Sequence, residues 1–199
     1  MTGDLAFERP VLTMPEAEAE ALRAAYGAAG VVLEYGSGGS TVLAAELAKQ
    51  RIFSVESDAA WARGMEGWFA AHPPASPVVL HWVDVGPTKD WGMPVTDKGW
   101  RKYHHYPLSV WDRAHFLHPD VVLVDGRFRP ACLLTVLYRI TRPVVVLFDD
   151  YKGRAVYHSV EKFVKPVALI GRMARFELQP RAFPIEGITR FIDYFTRPN

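Results

Sequence analysis

Val31-Val32-Leu33-Glu34-Tyr35-Gly36-Ser37-Gly38-Gly39-Ser40-Thr41 carries the reading of this chain. The apolar run Val31-Val32-Leu33 has the pattern of a buried strand, and Ser40 to Gln50, rich in Ala, Leu and Glu, has that of a helix. Between them lies a glycine-rich turn. Glycine lets a backbone approach a ligand closely, and the amides that begin a helix offer it donors. A second apolar run, Arg51-Ile52-Phe53-Ser54-Val55, ends beside Glu56, which stands 20 positions after Gly36. A carboxylate there is placed to hold ribose hydroxyls, so turn and acid together point to a nucleotide-like ligand.

Outward from the turn, short apolar runs alternate with helical patterns. Pro15 to Ala28 forms an amphipathic helix ahead of the first strand. Asp58 is a natural N-cap for a helix from Ala59 to His72, which stops before Pro73-Pro74. Val78 to Val85 and Val121 to Val124 read as the third and fourth strands. A helix from Arg129 to Ile140 precedes a fifth, Val144 to Phe148, and another helix spans Tyr157 to Val164. Strands that are apolar on both faces and alternate with helices indicate a doubly wound, mostly parallel sheet covered on both sides. The end departs from the alternation. Ala174 to Leu178 and Thr189 to Phe195 both look like strands, which suggests a C-terminal antiparallel hairpin closing the sheet. No repeat or linker divides the chain, so residues 1–199 read as a single α/β domain.

Composition agrees with that class. The chain has 199 residues, long enough to bury roughly 70% of its unfolded surface. With 49% hydrophobic and 23% charged residues, disorder, collagen and coiled coil are excluded. A net charge of +1 gives no field to recruit nucleic acid or an anionic membrane. Residues 152–199 carry nine Lys or Arg against four acids, more the mark of a solvated face than of a nucleic-acid groove. The lone Cys132 rules out an internal disulfide framework and fits a reducing compartment. Acids near the N-terminus are unlike a signal peptide, and no apolar run approaches membrane-spanning length, so the expectation is a soluble, cytoplasmic protein.

One segment stands apart. Gly86 to His118, between the third and fourth strands, holds Trp91, Trp100, Tyr103, Tyr106, Trp111 and Phe116 with Lys89, Lys98, Arg101, Lys102 and four histidines. A connection of this length in a compact domain is usually a lid or binding loop, and its aromatic content opposes disorder. Leu108 to Phe116 suggests a short helix inside it.

The turn is open to two nucleotide-binding readings. A dinucleotide fingerprint would want glycine or alanine at position 41, where Thr41 stands, and has no use for an acid two residues before the first glycine. Glu34 is that acid. The stretch resembles motif I of the class I S-adenosylmethionine-dependent methyltransferases, acid-x-Gly-x-Gly-x-Gly, with Ser40 in place of the third glycine; a serine hydroxyl at a helix start can act as a cap. The resemblance extends over roughly residues 15 to 196. It implies a seven-stranded sheet with a terminal antiparallel hairpin, and S-adenosylmethionine as cofactor. It also implies that Glu34, Gly36, Ser37, Gly38, Ser40 and Thr41 surround the methionine end, Glu56 the ribose and Asp84 the adenine edge, with Asp125 of Val124-Asp125-Gly126 in the motif after the fourth strand. Tyr35 is either core or a flank of the ligand.

Asp125 ends the fourth strand and Asp149-Asp150 the fifth, and strand carboxyl ends share one crevice. Three carboxylates there suit a hard divalent cation. The arrangement is similar to catechol-type O-methyltransferases, in which an Asp and an Asp-Asn pair at these places hold magnesium. That implies Asp125, Asp149 and Asp150 as metal ligands, with catalysis through Asp125 and Asp149. Arg127 and Arg129 either neutralise these acids or orient a carboxylate or phosphate on a substrate. Without metal, an aspartate or a histidine of the insert, His105, would serve as base. No HExxH, CxxC or GxSxG occurs to support hydrolysis. The expected function is methyl transfer to oxygen or nitrogen of a small or medium acceptor, with no oligomeric state implied. The alternatives are a catalytically silent S-adenosylmethionine-binding regulatory protein and an NAD-dependent oxidoreductase.

Overall fold

The computed structural model of the chain describes residues 7–198. Helix α1 spans Glu16–Ala28, with Glu16 and Glu18 in its first turn, where acids favour the dipole. It buries Ala19, Leu22 and Tyr26 at helical spacing. Strand β1, Val31–Tyr35, is buried at every position, as two-sided cover requires. Then come α2 (Gly39–Leu47), β2 (Arg51–Glu56), α3 (Ala59–Ala71) and β3 (Val78–Trp82). Asp58 caps α3 as expected, its carboxylate accepting the amides of Ala60 and Trp61 at 2.8 Å each. Strand β4 is Val121–Val124, α5 is Arg129–Arg139 with Pro130 in its first turn, and β5 is Val144–Phe148.

The sheet has seven strands in the order β3-β2-β1-β4-β5-β7-β6, where β6 is Ala168–Ile170 and β7 is Met173–Leu178. β1 to β5 are parallel, while β7 runs antiparallel to both β5 and β6. One face packs Leu33, Tyr35, Phe53, Val122 and Phe148 against α5 and the aromatic insert. The other packs Val32, Ile52, Leu123 and Leu147 against Leu22 and Tyr26 of α1, Val42 of α2 and Met65 of α3. The registers Tyr35↔Val55, Tyr35↔Val124 and Val124↔Phe148 bring the carboxyl ends of four strands side by side. Gly36, Glu56, Asp125 and Asp149 therefore meet at one edge.

Several expectations need correction. The terminal hairpin is β6–β7, turning at Gly171 and Arg172. Thr189 to Phe195 is no strand: Ile188–Tyr194 is a helix, α6. Its aromatic residues recur at helical spacing, and Phe191 meets Phe195 at 4.7 Å and Tyr138 of α5 at 5.8 Å. In a strand, residues four apart sit about 13 Å apart along the chain, too far for the Phe191 and Phe195 rings to meet. The third strand stops at Trp82 rather than Val85, and Tyr157–Lys162 is a 3-10 helix in place of the expected α-helix. Within the insert, α4 spans His105–Leu108, followed by a 3-10 turn over Ser109–Asp112. A two-stranded ribbon, Thr88–Lys89 with Met93–Pro94, begins it. No helix among the described residues is long and apolar enough to cross a membrane.

Candidate cofactor crevice

The glycine turn is built tightly from below. Gly36 has φ 103, and a β-carbon there would lie 2.7 Å from the Gly126 nitrogen, so only glycine lets the two turns touch. Gly36 N–H donates to the Val55 carbonyl, and the amides of Asp125 and Gly126 both donate to the Tyr35 carbonyl. Gly38 N–H donates to the Thr41 hydroxyl at 2.9 Å, closing the first turn of α2. A β-carbon on Gly38 would meet nothing within 4 Å, so this part of the turn is open. Ser40 lies inside α2 and does not cap it.

Glu34 is fully buried beneath the turn. Its carboxylate accepts the Tyr26 hydroxyl at 2.6 Å, and the Ser54 hydroxyl lies 3.4 Å away. Burial raises its pKa to about 7, against the pull of the Thr41, Tyr26 and Ser40 hydroxyls. Glu34 thus braces the turn from behind. Glu56 is also buried, yet it faces the turn: it accepts Ser37 N–H at 3.2 Å and the amides of Ser57 and Asp58 at 2.6 and 2.8 Å. Burial raises its pKa too, with the Asp58, Ser37 and Ser57 amides opposing. Trp61 of α3 donates its indole N–H to the Ser37 carbonyl at 2.8 Å, pinning the turn from the other side. Asp84 lies more exposed, bonded to Gly86 N–H and paired with Lys102 of the insert.

The insert folds into the crevice. Tyr106 is fully buried, its hydroxyl 3.4 Å from the Val55 carbonyl and 3.4 Å from the Arg127 amide, and its ring packs on Phe128. Gly92, φ 69, takes a bond from the Ser57 hydroxyl at 2.9 Å, and a β-carbon on it would lie 3.1 Å from Glu56 Oε1. A cavity of about 370 Å³ is lined by Arg51, Phe53, Val79 and Arg113, and another of about 240 Å³ by Val156, Lys162, Arg190 and Tyr194. Neither borders the turn. Tyr106 and Gly92 were not singled out at the sequence level as crevice residues; the aromatic content of the insert was the available signal.

The acids at the ends of β4 and β5 meet, but arginines hold them. Asp149 is buried and accepts bonds from Arg172 Nε and Nη2, at 3.1 and 2.8 Å. Asp150, at φ 57, pairs with Arg154 at 3.1 Å, Arg172 at 3.2 Å and Arg129 at 3.6 Å. Asp125 pairs with Arg129 at 3.1 Å. Its pKa is pushed up by burial, which Arg129 counters. No group of three acids, histidines or cysteines among the described residues is arranged to hold a metal ion. The donor set does not fit magnesium: each carboxylate already faces a guanidinium charge. His105 is exposed on α4 with its ring against that of His104 at 4.1 Å, and it is not brought to the aspartates. Arg172, at the tip of the β6–β7 hairpin, is the partner that sequence reasoning missed, since nothing in its local sequence marks it.

A seven-stranded, mostly parallel sheet with one reversed strand, a glycine turn after β1 and an acid ending β2 define the Rossmann-like methyltransferase fold. No family model matches the chain, and no curated protein matches it. Among solved structures it is similar to a methyltransferase-like protein from Silicibacter pomeroyi, at 55% identity over 96% of this chain and 99% of that one, with a TM-score of 0.92. The O-methyltransferase TomG from Streptomyces achromogenes, solved in complex with SAM, shares the fold at 17% identity over 86% and 82% of the two chains, TM-score 0.59. Cofactor-bound Rv0187 from MTB does so at 17% identity over 88% and 86%, TM-score 0.57. The chain belongs to the same family as that methyltransferase-like protein, within the Rossmann-like methyltransferase fold.

Proposed function

We propose that this protein transfers a methyl group from S-adenosylmethionine to oxygen or nitrogen of a small or medium-sized acceptor. The observation that carries this reading is the bond from Ser37 N–H to Glu56. It joins the glycine turn to a buried carboxylate at the β2 end, a donor and acceptor set suited to an amino acid joined to a ribose. In this reading Gly36, Ser37, Gly38, Ser40 and Thr41 form the cradle for the methionine end, braced by Glu34. Glu56 takes the ribose hydroxyls and Asp84 the adenine edge. The cofactor supplies an electrophilic methyl on a sulfonium.

The chain's own part is to position and dehydrate. Tyr103, Tyr106 and Phe128 present a dry aromatic wall, which holds the acceptor in line and excludes water. Asp125 is the base of choice, because burial raises its affinity for the acceptor's proton and it borders the turn. Asp149 is bound to Arg172 and serves as a support. No step needs a metal.

The second reading, a catalytically silent member of the fold, is favoured by Tyr106 and Gly92 lying over Gly126 and Glu56. Under the proposed function, cofactor entry moves this part of the insert. Calorimetric titration with S-adenosylhomocysteine, with NAD in parallel, tests the cofactor, and transfer of labelled methyl to a small-molecule acceptor panel tests the activity. Binding without transfer across the panel and a cell extract supports the silent reading. Binding of NAD alone would replace the proposal with an oxidoreductase.

A further inference from the structure

Four guanidinium groups surround the β4 and β5 ends, and one is unlike the others. Arg129, Arg154 and Arg172 each reach a carboxylate. Arg127 is 8% exposed and makes no ion pair among the described residues. Its Nε has no hydrogen-bond partner there, and neither does the buried hydroxyl of Tyr157. Arg129 and Arg154 each stand 5.8 Å from the centroid of the Tyr157 ring, so two guanidinium charges flank the side chain that carries this hydroxyl. Burial and the charge of Arg129 both work against the protonated form of Arg127. The nearby acids, Asp125 and Asp150, are already claimed by Arg129 and Arg154.

A cation buried without a counter-charge is costly, and orphaned donors beside it add to that cost. An oxyanion would relieve both. A guanidinium offers parallel N–H donors to two oxygens of a carboxylate or phosphate, and a tyrosine hydroxyl can donate to a further one. Arg127 follows Asp125-Gly126 directly at the β4 end, and Tyr157 opens the 3-10 helix between β5 and β6, close enough to Arg127 for the two groups to interact electrostatically. We propose that Arg127 and Tyr157 form a binding site for a carboxylate or phosphate group, carried by the methyl acceptor. The anion site stands on these residues alone; only the naming of its carrier rests on the methyltransferase reading.

The test is a titration of the full ¹⁵N-labelled chain at constant ionic strength, following the Arg127 Nε–H resonance. Sodium phosphate and sodium benzoate are the two anion arms, with neutral benzamide and sodium chloride as controls. A saturable shift with phosphate, benzoate or both is expected, and none with the controls; the stronger arm names the group. Arg127→Met should weaken that binding at least about tenfold while melting at the same temperature or higher, because an unpaired buried charge is removed. Tyr157→Phe, which keeps the ring and its packing, should weaken it severalfold. No saturable shift in either arm overturns the proposal, as does unchanged anion affinity in both variants. S-adenosylhomocysteine titrated into the same samples separates the two readings: cofactor binding without an anion response sinks only the anion site.

Discussion

The hydroxyl of Tyr106 occupies the space that a β-carbon on Gly126 would need, and the Gly36 nitrogen lies 2.8 Å from the same point. The β1 turn, the β4 turn and the insert are thus packed on one atom's absence. Gly126→Ala should destabilise the fold by about 1–3 kcal/mol through overpacking. Adding Tyr106→Phe should recover part of the loss and not all, because the Gly36 backbone remains in the way. Urea denaturation of both single variants and the double gives the coupling. Strict additivity would mean that the two residues do not share this space.

Tyr106 and Glu56 should act on cofactor binding in opposite directions. Glu56→Gln removes the charge that faces Ser37 and the ribose position, and should weaken S-adenosylhomocysteine about tenfold or more. Tyr106→Ala removes the side chain that fills the crevice. It should tighten the same ligand despite a stability cost of about 3–5 kcal/mol. Calorimetry on both variants checks this; weaker binding in Tyr106→Ala would make the ring a floor for the ligand and not a plug.

Glu34 should write itself into the pH dependence of stability. Its folded pKa, about 7, lies above the ordinary value of 4.5, so the native state keeps a proton that the unfolded chain has released between them. Stability from this group is therefore present in acid and lost as pH rises from about 4.5 through 7, by about 3 kcal/mol in all. Glu34→Gln keeps the acceptor for Tyr26 without the titration. The variant should match the parent near pH 4.5 and exceed it near pH 8 in denaturant melts. Parallel stability curves for the two proteins would refute a buried, proton-holding Glu34.

Arg172 and Asp149 supply a fourth prediction. Arg172→Met strands a carboxylate whose side chain is 2% exposed, while 44% of the arginine side chain is accessible to solvent. The loss should be about 2–3 kcal/mol, at or below the lower end for a broken buried pair because solvent screens the arginine. Melts in EDTA and in millimolar magnesium should coincide for the parent protein, and methyl transfer should be equal in both. Activity lost in EDTA and restored by magnesium would return the aspartates to metal binding.

Much of the fold was legible because it rests on local rules. Val31-Val32-Leu33 and Val121–Val124 are apolar on both faces, so they had to lie inside a covered parallel sheet. Asp58 had a capping side chain at the start of a helix, and the glycines at 36 and 38 stood between strand and helix. Thr189 to Phe195 misled because Thr, Ile and the aromatic residues suit a strand. What made it a helix was the apolar face of α5, which Phe191 and Phe195 cover together.

The sequence by itself determined the five parallel strands, the glycine turn and the acid at the β2 end, since each follows from the periodicity or backbone freedom of residues close together in the chain. Tertiary structure alone decided what those acids and arginines do. Arg172 reaches Asp149 only because the β6–β7 hairpin returns beside β5, and that bidentate pair helps turn a candidate metal site into a neutralised one. Tyr106 enters the crevice because the insert folds back over β2 and β4, and Arg127 is left without an anion because Arg129 takes Asp125. Charge pairing and burial depend on which residues meet in space, and residues this far apart in the chain carry no local mark of their partners.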